Sequence, residues 1–257
     1  MKGLQSFVIA HFKYAVRVPW GAVTSFSVSV GYSVVMTLQI FFTYKITQTP
    51  FPDLPFELFL LCFFMNQVIF FIGLACGVGN IGRFCRTLIN GGIDMMLLRP
   101  VPMAFYMFAQ RIRVDHITML GIYVILFLYQ SIAIGLDFPR ILMLSLYCFI
   151  SGILYFLLVV FYNGIGCLLR NVDNIRRVAT SADELLQNRP PEIFPRPVQF
   201  FFTFVFPMMF AGSYIFDLVR NRESLFIWVI LIFWLAVISF LNWGLWHHIF
   251  KNYESIG

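Results

Sequence analysis

The sequence predicts an all-α, polytopic membrane protein with six transmembrane helices, an N-terminal amphipathic interfacial helix and one short helix on the cytoplasmic side. Three observations predict it. Of the 257 residues, 60% are hydrophobic and only 12% are charged, about half of the roughly 25% that soluble domains carry. The apolar residues fall in six long blocks free of Asp, Glu, Lys and Arg. The basic residues behind the net charge of +6 sit between those blocks, where topology signals belong. A soluble core could not hide this much apolar surface, whereas a bilayer accounts for both its amount and its blockwise arrangement. The positive charge therefore implies no nucleic-acid partner.

Residues 1–17 form the interfacial helix. Leu4, Phe7, Val8, Phe12 and Ala15 recur at helical spacing, with Lys2, Gln5, Lys13 and Arg17 mainly elsewhere. That pattern suits a helix lying in the membrane surface, apolar side down. It does not read as a secretory signal, because its basic residues are spread through it and the apolar block that follows runs too long. Pro19 permits a sharp turn into the membrane. One transmembrane domain then occupies residues 18–257, with spans at about 18–44, 58–82, 116–136, 141–169, 198–216 and 225–246. Roughly 20 residues are needed to cross about 30 Å of hydrocarbon, and five blocks clear that easily. The block 198–216 is marginal and contains Pro207, so a kinked or partly re-entrant segment is the alternative there.

Charge sets the orientation. With the N-terminus inside, Lys45, Arg140, Arg220 and Arg222 lie outside and the other 14 of the 18 basic residues lie inside. This positive-inside bias places both termini in the cytoplasm. The outer loops are short, and the longest non-membrane segments, about 83–115 and 170–197, are cytoplasmic. Contact surface for soluble partners is therefore on the inner side.

Charges at membrane depth mark proton relays and ion paths. The six blocks contain none, which argues against a proton-coupled pump and a carboxylate-lined cation channel, so energy for transport has to enter elsewhere. Gly21, Ser25, Ser29 and Ser33 recur every four residues, and Gly73 and Gly77 share that spacing. Small faces let membrane helices approach closely. They serve either packing within the chain or the seam and path of a dimer. Asn66, Gln67, Gln130, Asn163 and Asn242 either bond between helices or line a pathway.

Several motifs are excluded. Gly77-Val-Gly-Asn-Ile-Gly82 matches GxGxxG but ends a membrane helix, with no strand before it. There is no GxxxxGK[ST] phosphate loop. His247 and His248 are adjacent, so on a helix they point apart, and no ligand cluster joins them. The five cysteines include no CxxC pair and read as small buried hydrophobes. No catalytic constellation, metal site or cofactor site is expected on this chain.

One inner segment stands out. Gly91 and Gly92 end a helix, Asp94 suits the first turn of the next one, Met95, Met96, Leu97 and Leu98 follow, and Pro100 ends it after Arg99. This is a short cytoplasmic knob that either docks a soluble partner or rests on lipid. Here the sequence resembles the permeases of the type-2 ABC exporter superfamily, in the daunorubicin- or multidrug-type branch. The resemblance rests on Gly91-Gly-Ile-Asp-Met-Met-Leu-Leu-Arg-Pro-Val-Pro102, on Pro191-Glu-Ile-Phe-Pro195 with Phe202-Thr-Phe-Val-Phe-Pro207, and on the tail Tyr253-Glu-Ser-Ile-Gly257. With the six-span layout it covers essentially the whole chain. The polar stretch 170–196 departs from it, being more apolar in related exporters.

The resemblance implies a non-enzymatic permease that moves an unidentified substrate, an amphiphile being one candidate, across a bacterial inner membrane. It implies a separate ABC ATPase chain that binds ATP and Mg, and a second permease subunit, identical or related. By it, Gly92, Asp94, Met95, Leu97, Leu98, Arg99 and Pro100 form the coupling helix that enters a groove on the ATPase. A non-ABC carrier or channel, or a membrane scaffold, is the alternative.

Overall fold

The computed structural model describes residues 31, 35, 38–42, 44, 45, 54–92, 114–220 and 225–252. The expected interfacial helix at 1–17, most of the first span and the knob after Gly92 lie outside the described residues. Among the described residues there are helices and no strands. Among the described residues four helical stretches are long and apolar enough to cross a membrane.

Helix α1 (Phe56–Ala75) is apolar all round, as a helix enclosed by others must be. Of its most apolar stretch, continued into the next helix, 61% is buried, against 28% for the corresponding stretches of the third and last helices. It is therefore the central post and those two are peripheral. Gly77 then takes a left-handed φ of 96°, which interrupts the helix. The chain resumes as α2 (Val78–Ile89), amphipathic, with Ile81, Phe84 and Cys85 buried and Arg83 and Arg86 exposed. The charge-free block stops at Gly82, but the helix runs on to Ile89 because its apolar face keeps a packing surface, and it stops where the paired glycines Gly91 and Gly92 predict. It closes at Gly91, φ 73°, where the Gly92 N–H reaches Thr87 O at 2.9 Å and the Gly91 N–H reaches Leu88 O at 3.2 Å, a paired closure that satisfies two helix-end carbonyls.

Helix α3 (Val114–Ala133) runs antiparallel to α1. His116 Nδ1 lies 3.4 Å from Leu74 O at one end, and Gln130 Nε2 donates to Glu57 O at 3.2 Å at the other. Gly135, φ 78°, turns the chain into α4 (Phe138–Leu168), whose first turn carries Pro139. Helix α4 packs on α1, and α8 (Leu225–Lys251) packs on α4 in parallel. Asn242 donates to Leu157 O at 2.9 Å, and Tyr147 meets Trp228 edge-on at 5.7 Å.

Between α4 and α8 the structure differs from the sequence expectation. Residues 170–197, read as one inner segment, contain helix α5 (Val172–Leu186). It folds back along α4 from the Leu168 end, with Asp183 bonded to Tyr155 on α4. By Glu192 the chain has reached the Phe138 end. There Glu192 pairs with Arg220 at 3.1 Å, and Arg140 donates to Leu218 O and Val219 O at 3.3 and 3.0 Å. The block 198–216 is not one helix. It is broken into α6 (Arg196–Phe200), a π turn (Phe201–Val205), a 3-10 turn (Pro207–Ala211) and α7 (Tyr214–Val219). Pro195 and Pro197 open α6 in its cap and first turn, and Pro207, inside the block, removes a backbone donor and prevents a continuous ladder. These pieces enter from the Phe138 end, stack Phe206 on Tyr162 at 5.4 Å, and return to the same end.

Candidate functional site

The region that leads toward Gly92 is a junction of α2, α4 and α5. Its floor is apolar: Phe84 meets Trp246 at 6.2 Å and Phe250 at 6.3 Å. Cys85 Sγ lies 3.5 Å from Asn163 O. Gly82 faces α4 and α5 closely. A β-carbon there would stand 3.2 Å from Asn163 Oδ1 and 3.5 Å from Arg176 Nη1. Arg86 on α2 pairs with Asp173 on α5 at 3.1 Å, both side chains more than half exposed. Helix α2 is thus bound on one side to the bundle, and the chain leaves it through Gly91 and Gly92.

The reversal between α4 and α5 is tight. Arg170 holds a left-handed φ of 54°, and the Asn171 N–H reaches back to Gly166 O at 2.8 Å. A β-carbon at Gly166 would meet Val172 Cα at 2.9 Å. Glycine at 166 therefore lets α5 lie against the end of α4, and this fixes which residues of α5 face inward.

Those inward residues include a buried carboxyl. Asp183 is 6% exposed, and its Oδ2 accepts from Gln187 Nε2 at 2.8 Å and from the Tyr155 hydroxyl at 3.2 Å. A buried acid needs such donors, because an unpaired polar group in an apolar interior costs about 1–3 kcal/mol or more. Beyond it the chain is sewn to its surroundings. Ser213 Oγ donates to Leu186 O at 3.1 Å. The Asn66 amide, turned so that both its ends are satisfied, donates to Ala211 O at 2.6 Å and accepts the Asn188 N–H at 3.0 Å.

The sequence-selected residues distribute as follows. Gly92 closes α2, while Asp94, Met95, Leu97, Leu98, Arg99 and Pro100 lie outside the described residues, as do Gly21, Ser25, Ser29 and Ser33. Gly73 and Gly77 do not share a helical face: Gly77 is the left-handed break, and Gly73 lies under Tyr155 of the same chain, whose Cδ1 would be 2.7 Å from an added β-carbon. Of the uncharged polar residues, Asn66, Gln130 and Asn242 bond between elements. Asn163 donates to Val159 O within its own helix, and among the described residues its Oδ1 has no partner. Sequence reasoning missed Asp183, Tyr155 and the exposed face of α5. The signal was present in Val172, Ile175, Ala179, Ala182 and Leu186, which recur at helical spacing through a stretch dominated by charge.

No curated protein and no solved structure matches the chain. A family model described as ABC-2 family transporter protein matches residues 33–257. That match spans nearly the whole sequence and includes the four helices among the described residues that are able to cross a membrane: the chain belongs to the ABC-2 transporter family, as a multi-pass membrane permease component.

Proposed function

We propose that this chain is the membrane-spanning permease of an ATP-driven exporter and works with a separate ATPase subunit and a second permease subunit. The observation that carries the reading is the family match over 33–257. The architecture supports it. Helix α2 leaves the central post α1, stays braced by α4 and α5, and delivers the chain at Gly92 to the segment 93–100. In this reading that segment is the coupling helix, with Asp94, Met95, Leu97, Leu98, Arg99 and Pro100 as its contact residues. ATP and Mg belong to the partner. ATP binding there moves the coupling helix, α2 transmits the displacement, and the two permeases rearrange where they meet. The excess of basic residues in the inner segments supports both termini lying in the cytoplasm, and a bacterial inner membrane is what the family resemblance implies.

The test is co-purification from gently solubilised membranes, comparing the natural chain with a Leu98→Asp, Arg99→Glu double variant. The reading expects an ATP-hydrolysing subunit to accompany the natural chain and to be lost from the variant while the permease keeps its elution profile. Absence of any nucleotide-binding partner in several mild detergents would overturn it in favour of a carrier or scaffold. Retention of the partner by the variant would move the contact away from 93–100.

A further inference from the structure

Helix α5 has three distinct sides. Val172, Ile175, Ala179, Ala182, Asp183 and Leu186 turn toward the bundle. Val178 and Leu185 are apolar and exposed, at 68% and 42%. Between these two sides runs a polar stripe, Asp173, Arg176, Arg177, Thr180, Ser181 and Glu184, which lines an open groove of about 500 Å³. The spacing of three and four residues puts all six on one face.

The position of the stripe along the bundle gives it meaning. Asp183 bonds to Tyr155, which lies thirteen residues from the Leu168 end of a 31-residue helix. At the helical rise that is about 20 Å from one end and about 26 Å from the other. The upper part of the stripe, Thr180 to Glu184, is therefore near mid-depth of a helix that crosses a bilayer. Lipid cannot solvate Glu184 there, and a charge at such depth faces water or a partner charge. Val178 and Leu185 form the apolar exposed side of the same helix. On α4, against which α5 packs, the Tyr162 hydroxyl and Asn163 Oδ1 are buried and lack a partner among the described residues. Buried polar atoms of this kind are ordinarily satisfied by water.

We propose that the polar stripe of α5 lines a water-filled lane at membrane depth, and that the lane admits water-soluble, ion-bearing solutes rather than lipid-soluble ones. This rests on the export reading and assigns its substrate class. The lane is bipolar. Arg176 and Arg177 lie toward the Leu168 end, with Asp173 already paired to Arg86, and Glu184 lies about 10 Å deeper by the helical rise. Thr180 and Ser181 supply hydroxyls between them.

The test uses the full-length chain in native membrane vesicles, carrying Cys76→Ser to remove the one exposed thiol among the native cysteines. Single cysteines are placed at Thr180 and Ser181 in the stripe and at Val178 and Leu185 on the apolar side. Each is treated with 2-sulfonatoethyl methanethiosulfonate, which is itself a small membrane-impermeant anion. The thiolate attacks the reagent's sulfenyl sulfur, a mixed disulfide forms and methanesulfinate leaves. Thiolate exists only where water solvates it, so the stripe positions are expected to react about tenfold faster or more than the apolar ones. Equal fast reaction at all four positions would place α5 in bulk water and overturn the proposal. Equal slow reaction would mean that protein seals the stripe, from a second copy or from another part of this chain, and would overturn it too. Two stripe positions guard against one misfolded variant, with the elution profile checked for each. Labelling needs neither ATP nor a partner, so its outcome is separable from loss of the co-purifying ATPase.

Discussion

Gly166→Ala isolates the α4–α5 reversal. Two effects oppose each other. Alanine in a helix is favoured over glycine by about 1 kcal/mol. Against that, the new β-carbon would stand 2.9 Å from Val172 Cα and 3.5 Å from Val172 N, nearly an ångström inside ordinary carbon–carbon contact. The atoms it meets are backbone, held by the Asn171 N–H bond to Gly166 O at 2.8 Å, so no side chain can swing away. Overpacking of this kind costs about 1–3 kcal/mol, so the net change runs from near zero to a loss of about 2 kcal/mol. For a chain of this size the melting temperature falls by up to roughly 8 °C, and lies about 2–12 °C below that of a variant making the propensity gain alone. Gly121→Ala is the control, because nothing lies within 4 Å of its β-carbon position, and the propensity gain there stands alone. The assay is a thermal melt of both variants in the same detergent, read by size-exclusion fluorescence. Equal melting temperatures for the two variants, or a rise for Gly166→Ala, would refute the close approach. A displaced α5 also blurs the thiol-labelling contrast between Ser181→Cys and Val178→Cys, which gives a second readout.

Two further substitutions address the polar contacts. Asp183→Leu strands the Tyr155 hydroxyl and the Gln187 amide, which both donate to it, and is expected to destabilise by about 2–4 kcal/mol; Asp183→Asn keeps an acceptor oxygen and loses less than half of that in the same melt. Arg140→Gln removes the guanidinium that donates to Leu218 O and Val219 O at the end of α7. A loss of about 1–2 kcal/mol is expected, with faster protease cleavage in 214–224 as the local check; an unchanged cleavage rate would contradict the capping role.

The sequence discloses the long apolar helices well and the rest poorly, for identifiable reasons. Blocks without charge announce α1, α3, α4 and α8, because hydropathy reads lipid and core alike. It also announces the stop at Gly91, since paired glycines end helices by backbone freedom. Gly77 escapes, because one glycine in an apolar run looks like any other small residue until its φ is known. Helix α5 escapes because hydropathy averages over all sides of a helix. Its packed residues Ile175, Ala179 and Ala182 are outvoted by Arg176, Arg177, Asp183 and Glu184. The block 198–216 is legible in part. Its apolar composition suits a span, whereas its shortness and Pro207 point to the broken, re-entrant course that the structure takes. The knob after Gly92 is read from Gly91, Gly92, Asp94 and Pro100 and lies outside the described residues; its role as a coupling helix comes from the resemblance alone, since that role depends on a partner that no pattern within this chain describes.

The placement of α5 also bears on how the protein is made. A segment of 15 residues that holds Asp173, Arg176, Arg177, Asp183 and Glu184 is strongly disfavoured as an autonomous insertion unit, with Asp or Arg at a helix centre costing about 2.5–3.5 kcal/mol each on the translocon scale. It reaches its place only after α4 offers Tyr155 and a packing face, and it is held there once Ser213 and Asn66 close over Leu186 and Asn188. Since Ser213 emerges from the ribosome after α5, the packing of α5 is completed late, once the following hairpin has been synthesised. Truncating the nascent chain between Gln187 and Ser213 should leave α5 unpacked from α4, and such chains would be open to degradation.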